Sequence, residues 1–441
     1  MIPRRPPRRV LAPALAVLGC VAIVAGCMPP VPAPASPAPT ASVPVASHLA
    51  SPSPSPSAAG SPTATADAAA TYAQIERQVV AIRGLQPKAT VDPKVLDPEQ
   101  LKVHVATEFT KDNPPAVVGA NERLLKGLGL FPKDASLADL YVKLLGSQVA
   151  GFYSPDDKAL YVVSRSGAVG PVERVTFAHE YTHALQDQNF NLKSFDLGAV
   201  GQGDRGQARL SLIEGDAVTV QTQWTTANLT SAEAMQLFQA ALDPEALKIL
   251  EGMPPILRES LEFPYDAGLR FVMRLQGRGG FAAVDKAFAN PPASTEQILH
   301  PEKYDSGEAP VTVSIPNDLA TRMGAGWKSS LEDTLGEFEL AVWLRGGTDR
   351  IAVANTAAAG WGGDRVELLD GPNGAWAIAL VTEWDTAADA TEFADAAGAV
   401  ATKLEAATVG TQPGSKRVTV LIGSDPAVAA QLDALMGNTG A

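Results

Sequence analysis

From Val10 to Ala66 the chain carries no Asp, Glu, Lys or Arg. A stretch of that length without charge either sits in lipid or stays out of the fold. Its two halves do different things. Val10 to Gly26 is apolar, broken only by Pro13, and follows the basic run Arg4, Arg5, Arg8 and Arg9. That order of charge and apolarity predicts a secretory signal. Residues 28–66 are mostly Pro, Ala, Ser and Thr, with eleven prolines between Met28 and Thr65. Such a segment buries too little surface to offset the entropy of ordering it. It is expected to be a semi-extended spacer with a reach on the order of 100 Å. His48 lies within it and is expected to be solvated and idle. The fold must therefore be built from residues 67–441.

Cysteine usage narrows the reading further. Cys20 and Cys27 are the only two cysteines. No disulfide framework and no cysteine-ligated metal site can form in the folded part. The residues before Cys27, Val24-Ala25-Gly26, resemble the lipobox of bacterial lipoproteins. That resemblance implies cleavage before Cys27 and lipid on its thiol, and hence a protein tethered outside the cell membrane. An ordinary signal peptide, or an uncleaved anchor, is the alternative. Net charge is −13; without the four leading arginines, 31 basic residues face 48 acidic ones, a balance of −17. So acidic a body is a poor partner for nucleic acid.

Beyond Asp67 the pattern is chiefly helical. Apolar residues recur at three- and four-residue spacing from Tyr72 to Ile82 and near 97–110, 115–127 and 136–145. His104, in the second of these, is expected to pack or face water like any other. Gln148–Tyr153 and Ala159–Val163, around Ser154-Pro155-Asp156-Asp157, predict a β-hairpin. Pro171 predicts a helix start, with the helix running to about Gln188. A Gly-rich loop (Gly198, Gly201, Gly203, Gly206) should lead to a helix at 207–225. After Pro316 the pattern becomes mixed. Helices are expected at 331–344, 349–358 and 386–406, a hairpin at 365–369 and 376–381, and a strand at 417–422. The fold class is therefore α+β, mostly helical with a small sheet. Its organisation is a signal at 1–27, a spacer at 28–66, a main unit at 67–316 and a C-terminal α+β region at 317–441. That last region either recognises substrate or packs as part of the main unit.

One segment carries chemistry: His179-Glu180-Tyr181-Thr182-His183, inside the helix predicted after Pro171. Residues four apart lie on one face of a helix, so the two imidazoles can reach one Zn²⁺. Glu180 lies off that stripe but near its edge, where it can act as a base without ligating the metal. Catalytic zinc takes three protein ligands and keeps one open position, so a third ligand is needed. Gln186 and Asn189 stand where an elongated motif would place Gly and His. The candidate is Glu214, in Leu212-Ile213-Glu214-Gly215-Asp216-Ala217. Leu210, Glu214, Ala217, Gln221 and Trp224 share a helix face on which Glu214 is the only charge. A carboxylate on an inward face is costly unless it is paired or bound to a cation. Gly215 should let the two motif helices approach closely. Asp216 faces away and is not expected to be a ligand.

His179, Glu180, His183 and Glu214 resemble the zinc site of the gluzincin peptidases, the thermolysin-like branch of the zincins. Further stretches resemble a bacterial envelope lipoprotein group of zincin-like peptidases. They are 150–155 (AGFYSP), 183–188 (HALQDQ), 214–217 (EGDA), 294–304 (STEQILHPEKY) and 360–365 (GWGGDR). The resemblance implies a zincin-like core, a zinc cofactor and hydrolysis of peptide bonds, with Glu180 the general base. The thermolysin pattern has a shorter gap to its glutamate. It also carries an Asp four residues beyond it, orienting a ligand histidine, where this chain has Val218. Asp187, one turn past His183, is a substitute candidate for that role. His300 and Tyr304 are candidates for stabilising the oxyanion; packing and turn-capping are their alternative. Two other readings stay open: a zinc-binding surface lipoprotein without catalysis, and a zinc hydrolase of another amide or ester.

Overall fold

The computed structural model of the protein describes residues 66–148, 151–163 and 169–437. The signal, the spacer, both cysteines and His48 lie outside the described residues. Seven helices carry the argument: α1 (Ala66–Arg83), α2 (Pro115–Gly127), α3 (Pro171–Phe190), α4 (Gly203–Asn228), α5 (Pro255–Gly279), α6 (Phe281–Ala289) and α7 (Gly336–Leu344). The strands are β1 (Pro93–Leu96), β2 (Gly151–Ser154), β3 (Ala159–Val163), β4 (Lys328–Asp333), β5 (Trp361–Asp370), β6 (Trp376–Trp384), β7 (Ala407–Thr411) and β8 (Arg417–Gly423). Helices and two small sheets make this an α+β protein. Among the described residues no helix is long and apolar enough to cross a membrane.

The first sheet has the order β1-β3-β2, with β1 and β3 parallel and β2 antiparallel to β3. The hairpin β2–β3 matches the expected segment, beginning at Gly151 within the described residues. Its outer strand lies against α3. A Cβ on Gly151 would stand 2.8 Å from Thr176 Cγ2, so glycine is what lets strand and helix meet. His104 packs as an ordinary aromatic neighbour, stacked on Phe152 at 5.2 Å between ring centroids.

Helices α3 and α4 are buried around most of their circumference, over Val175–Asp187 and most of 203–224. Two contacts fix α4 against α5. A Cβ on Gly215 would stand 2.2 Å from Gly268 O, and one on Gly268 would stand 2.1 Å from Ser211 O. Gly215 does permit a close approach, but to α5 rather than to α3. Pro264 lies inside α5 and has no N–H to give to Ser260 O. The Gln207 side-chain amide donates to that carbonyl instead, at 2.8 Å.

The second sheet is antiparallel throughout, in the order β4-β5-β6-β8-β7. Period-two alternation splits its side chains between two cores. Ile378 and Leu380 face one core, whereas Ala377, Ala379 and Val381 face the other. Helix α2 contributes Ala120 and Leu124 to the first of these cores, and the Trp343 indole donates to Leu128 O at 3.0 Å. The core thus runs across the 316/317 boundary. Trp343, Trp361 and Trp384 are buried in it, whereas Trp327 and Trp376 are partly buried.

Three expectations need correction here. Residues 331–344 are not one helix: β4 ends at Asp333, a turn follows with Gly336 at φ +76°, and α7 starts there. Asp204 forces that glycine, since a Cβ would lie 1.8 Å from its Oδ1. The helix expected to reach 406 stops at Ala401, and Ala407–Thr411 is an edge strand paired to β8. Gly203 and Gly206 belong to α4 rather than to the loop. The N–H of Gly203 donates to Asp333 Oδ1 at 2.7 Å and that of Asp204 to Thr334 O at 3.1 Å. The C-terminal region therefore supplies acceptors for α4's first turn, which local sequence does not contain.

Candidate metal centre

Helix α3 begins at Pro171, with Glu173 accepting from the Gly170 N–H at 3.0 Å, and ends at Asn191 in the left-handed region. Thr176, His179, Glu180, His183, Gln186 and Asp187 all lie on it and all are buried. So many polar side chains out of water require partners.

The central three converge. His179 Nε2 and His183 Nε2 are 3.0 Å apart. Glu214 Oε2 lies 3.2 Å from the first and 3.3 Å from the second. The rings stand nearly perpendicular, at 83°. Zinc bonds of about 2.0–2.1 Å at tetrahedral angles hold ligand atoms about 3.3 Å apart, which this triangle approaches. Two imidazoles and one carboxylate are also a donor set suited to zinc. The residues therefore fit a metal ion with one open position.

Burial pulls the His183 imidazole down, but Glu214 beside it pulls harder, and the net is a rise to about 9. Burial pushes the Glu214 carboxyl up, yet His183 and His179 bring it down to about 2. Without metal, the two thus form a buried imidazolium–carboxylate pair, in which the imidazolium supplies the positive charge beside Glu214.

Glu180 is 3% exposed, and its Oε2 accepts from the Tyr153 N–H at 2.8 Å. Because β2 is the edge of its sheet, that bond means β2 turns its outer side towards the base.

The neighbours of the triad differ from expectation. Asp187 does not orient a ligand histidine. It accepts from Tyr153 Oη at 2.8 Å, Lys158 Nζ at 2.5 Å and Leu192 N at 3.0 Å, and so ties the hairpin to α3. Gln186 holds His183 instead, its Oε1 standing 2.8 Å from Nδ1. The Gln186 amide donates to Ile213 O at 3.0 Å and to Asp216 Oδ2 at 2.9 Å. Asp216 also receives the Nε–H of Arg83, at 2.9 Å. Only the fixed position of Gln186 three residues past His183 hinted at this.

His300 and Tyr304 are engaged away from the triad. His300 Nε2 is 2.8 Å from Glu337 Oε1. The Tyr304 hydroxyl donates to Asn290 O at 2.8 Å while its ring packs edge-on against Phe271. Both spend these polar atoms on partners outside the triad. The aromatic hydroxyl residue beside the triad is Tyr265, buried on α5 with its ring centroid 6.3 Å from that of His179.

A second group of acids, Glu296, Glu308 and Asp385, also has the spacing of a metal site. Lys303 Nζ already sits among them, at 2.6, 2.8 and 2.5 Å. Its ammonium supplies the positive charge, so this is an ion-pair hub joining the short helices at Thr295–Leu299 and Pro301–Ser306 to the strand end of the second sheet.

Comparison with known proteins reaches only part of the chain. Residues 322–434 match a domain of unknown function, DUF8575. No curated protein matches, and no solved structure does. The matched stretch holds the second sheet and lacks all four of His179, Glu180, His183 and Glu214.

Proposed function

We propose that the chain is a zinc-dependent peptidase with a zincin-like core of the gluzincin type, tethered outside the cell membrane by lipid on Cys27. The observation that carries this reading is the convergence of His179, His183 and Glu214 beside a buried glutamate that does not join them. A site built only to hold a metal has no use for that second carboxylate. Zinc, when bound, supplies Lewis acidity towards a water and a carbonyl oxygen.

The remaining roles belong to the chain. His179, His183 and Glu214 hold the ion. Glu180 takes the proton from the attacking water and passes it to the leaving amine. An extended polypeptide adds along the outer edge of β2, where Glu180 must release the Tyr153 N–H it holds before that group can pair with substrate. Burial of the triad excludes bulk water and strengthens every charge interaction within it.

The test is cleavage of an unfolded protein by the purified chain, alongside its zinc content. A chelator should abolish cleavage and added zinc restore it. Glu180→Gln should lower the rate by about 10²–10⁴-fold with zinc still bound. Full activity in that variant would remove Glu180 as the base. Stoichiometric zinc in a wild-type protein that cleaves no peptide would leave a metal-binding lipoprotein or a hydrolase of another amide or ester.

A further inference from the structure

Arg83, the last residue of α1, is 1% exposed, unusual for a side chain that stays charged at any physiological pH. Its guanidinium lies 4.7 Å from the Phe281 ring centroid on α6 and pairs with Asp285 at 2.7 Å. Its Nε–H faces Asp216, 133 residues away in sequence. Nothing in peptide hydrolysis uses it directly, so its burial needs a reason.

The hydrogen bonds running inward from it have only one consistent direction. An arginine Nε–H can only donate, so Asp216 accepts there. Ile213 O is a carbonyl and can only accept. The NH₂ group of Gln186 must therefore point at Ile213 O and Asp216 Oδ2. Its oxygen is then left facing His183 Nδ1. An amide oxygen only accepts, so Nδ1 must carry the proton. Nε2 is thereby left as the ring nitrogen turned towards His179 and Glu214. His179 has no such guide, since its Nδ1 has no hydrogen-bond partner among the described residues.

We propose that Gln186, Asp216 and Arg83 are positioning residues of the metal centre: His183 Nδ1–H donates to Gln186, Gln186 and Arg83 both donate to Asp216, and the chain anchored on that carboxylate presents His183 Nε2 to the metal. This rests on the zinc reading above. It makes the docking of α1, the first described helix after the spacer, part of the site. The thermolysin-like pattern puts an acid on the glutamate helix for this task. Here a glutamine on the histidine helix does it, and the acid stands one remove away.

The test is zinc affinity of the purified full chain, measured by competition with a chromophoric chelator, with melting of the metal-free forms alongside. Gln186→Leu should weaken zinc binding about 10–100-fold, the range for neighbours of a ligand. Arg83→Met, which leaves Gln186 in place, should weaken it less but measurably. A purely structural role would lower the melting temperature and leave zinc affinity of the folded protein untouched, and that result would overturn the proposal. Should Gln186→Leu fail to fold, the zinc-loaded wild type still decides. The His183 Nδ1 proton should resonate downfield of the His179 one, because only His183 has an acceptor. The reverse order would overturn the chain. A wild type that binds no zinc would instead sink the functional reading itself, whatever the variants do.

Discussion

Glu214 and Asp364 are both carboxylates withdrawn from water, at 1% and 4% exposure, one among the helices and one in the second sheet. Their surroundings push them in opposite directions. Glu214 meets two imidazoles and is held down to about 2. Asp364 meets the backbone N–H groups of Leu335 and Gly336 and the Trp361 indole. Those donors lower it, but burial outweighs them and the acid rises to about 6. Depth is shared, so depth is not what marks a site. The partner chemistry is: neutral donors turn an acid into a structural brace, whereas ring nitrogens and a second carboxylate turn it into a cation trap.

Exchanging amide for acid at the two positions should separate them most widely. Glu214→Gln keeps the shape but removes a ligand charge, and should cost more zinc affinity than the ~100-fold upper end for a ligand's neighbour. Asp364→Asn should leave zinc affinity unchanged. It cannot accept all three bonds, so it should lower stability by about 1–3 kcal/mol. Chelator competition and urea unfolding on both variants check this. Zinc loss from Asp364→Asn would erase the distinction.

The close-packed glycines sharpen it. A methyl at Gly215 would meet the α5 backbone at 2.2 Å, between two helices anchored along their length. A methyl at Gly363 would meet Val311 O at 2.3 Å, on a segment whose own side chain is exposed. Gly215→Ala should therefore cost about 3 kcal/mol or more and disturb Glu214 beside it. Gly363→Ala should cost about 1 kcal/mol as the segment shifts, with zinc untouched. Equal losses in the two would mean the 311 segment is as rigid as α5.

The same contrast explains what the sequence could disclose. The histidine pair was legible because a helix fixes what four residues apart means. Glu214 was legible as the lone charge on an inward stripe. Both inferences need only local geometry. Gln186 was not legible, since its role depends on Asp216, 30 residues on, and on Arg83 beyond that. His300 and Tyr304 were named from the scarcity of histidine, which says nothing about where a segment folds, and their hydrogen-bond partners lie outside the triad. Strand β4 was missed because Lys328-Ser329-Ser330 reads as polar loop, and only pairing with β5 makes it a strand. The start of α4 was misplaced for a related reason, its first donors being satisfied from Asp333 and Thr334.

The last test reads the sheet's acids through pH. Burial pushes the Glu367 carboxyl up to about 7, with Ser329 and Arg365 opposing and Glu332 assisting. A folded-state value above the ordinary 4.5 means folding favours the protonated acid. Its contribution is complete below about 4.5 and disappears as pH rises through about 7. The zinc-free protein should therefore lose on the order of 2 kcal/mol from this group between pH 5 and 8. Glu367→Gln cannot ionise, so its melting temperature should change less over that interval and exceed the wild type's at pH 8. Parallel melting curves would show that Arg365 keeps Glu367 charged, and the sheet's acids would then be paired like those around the metal centre.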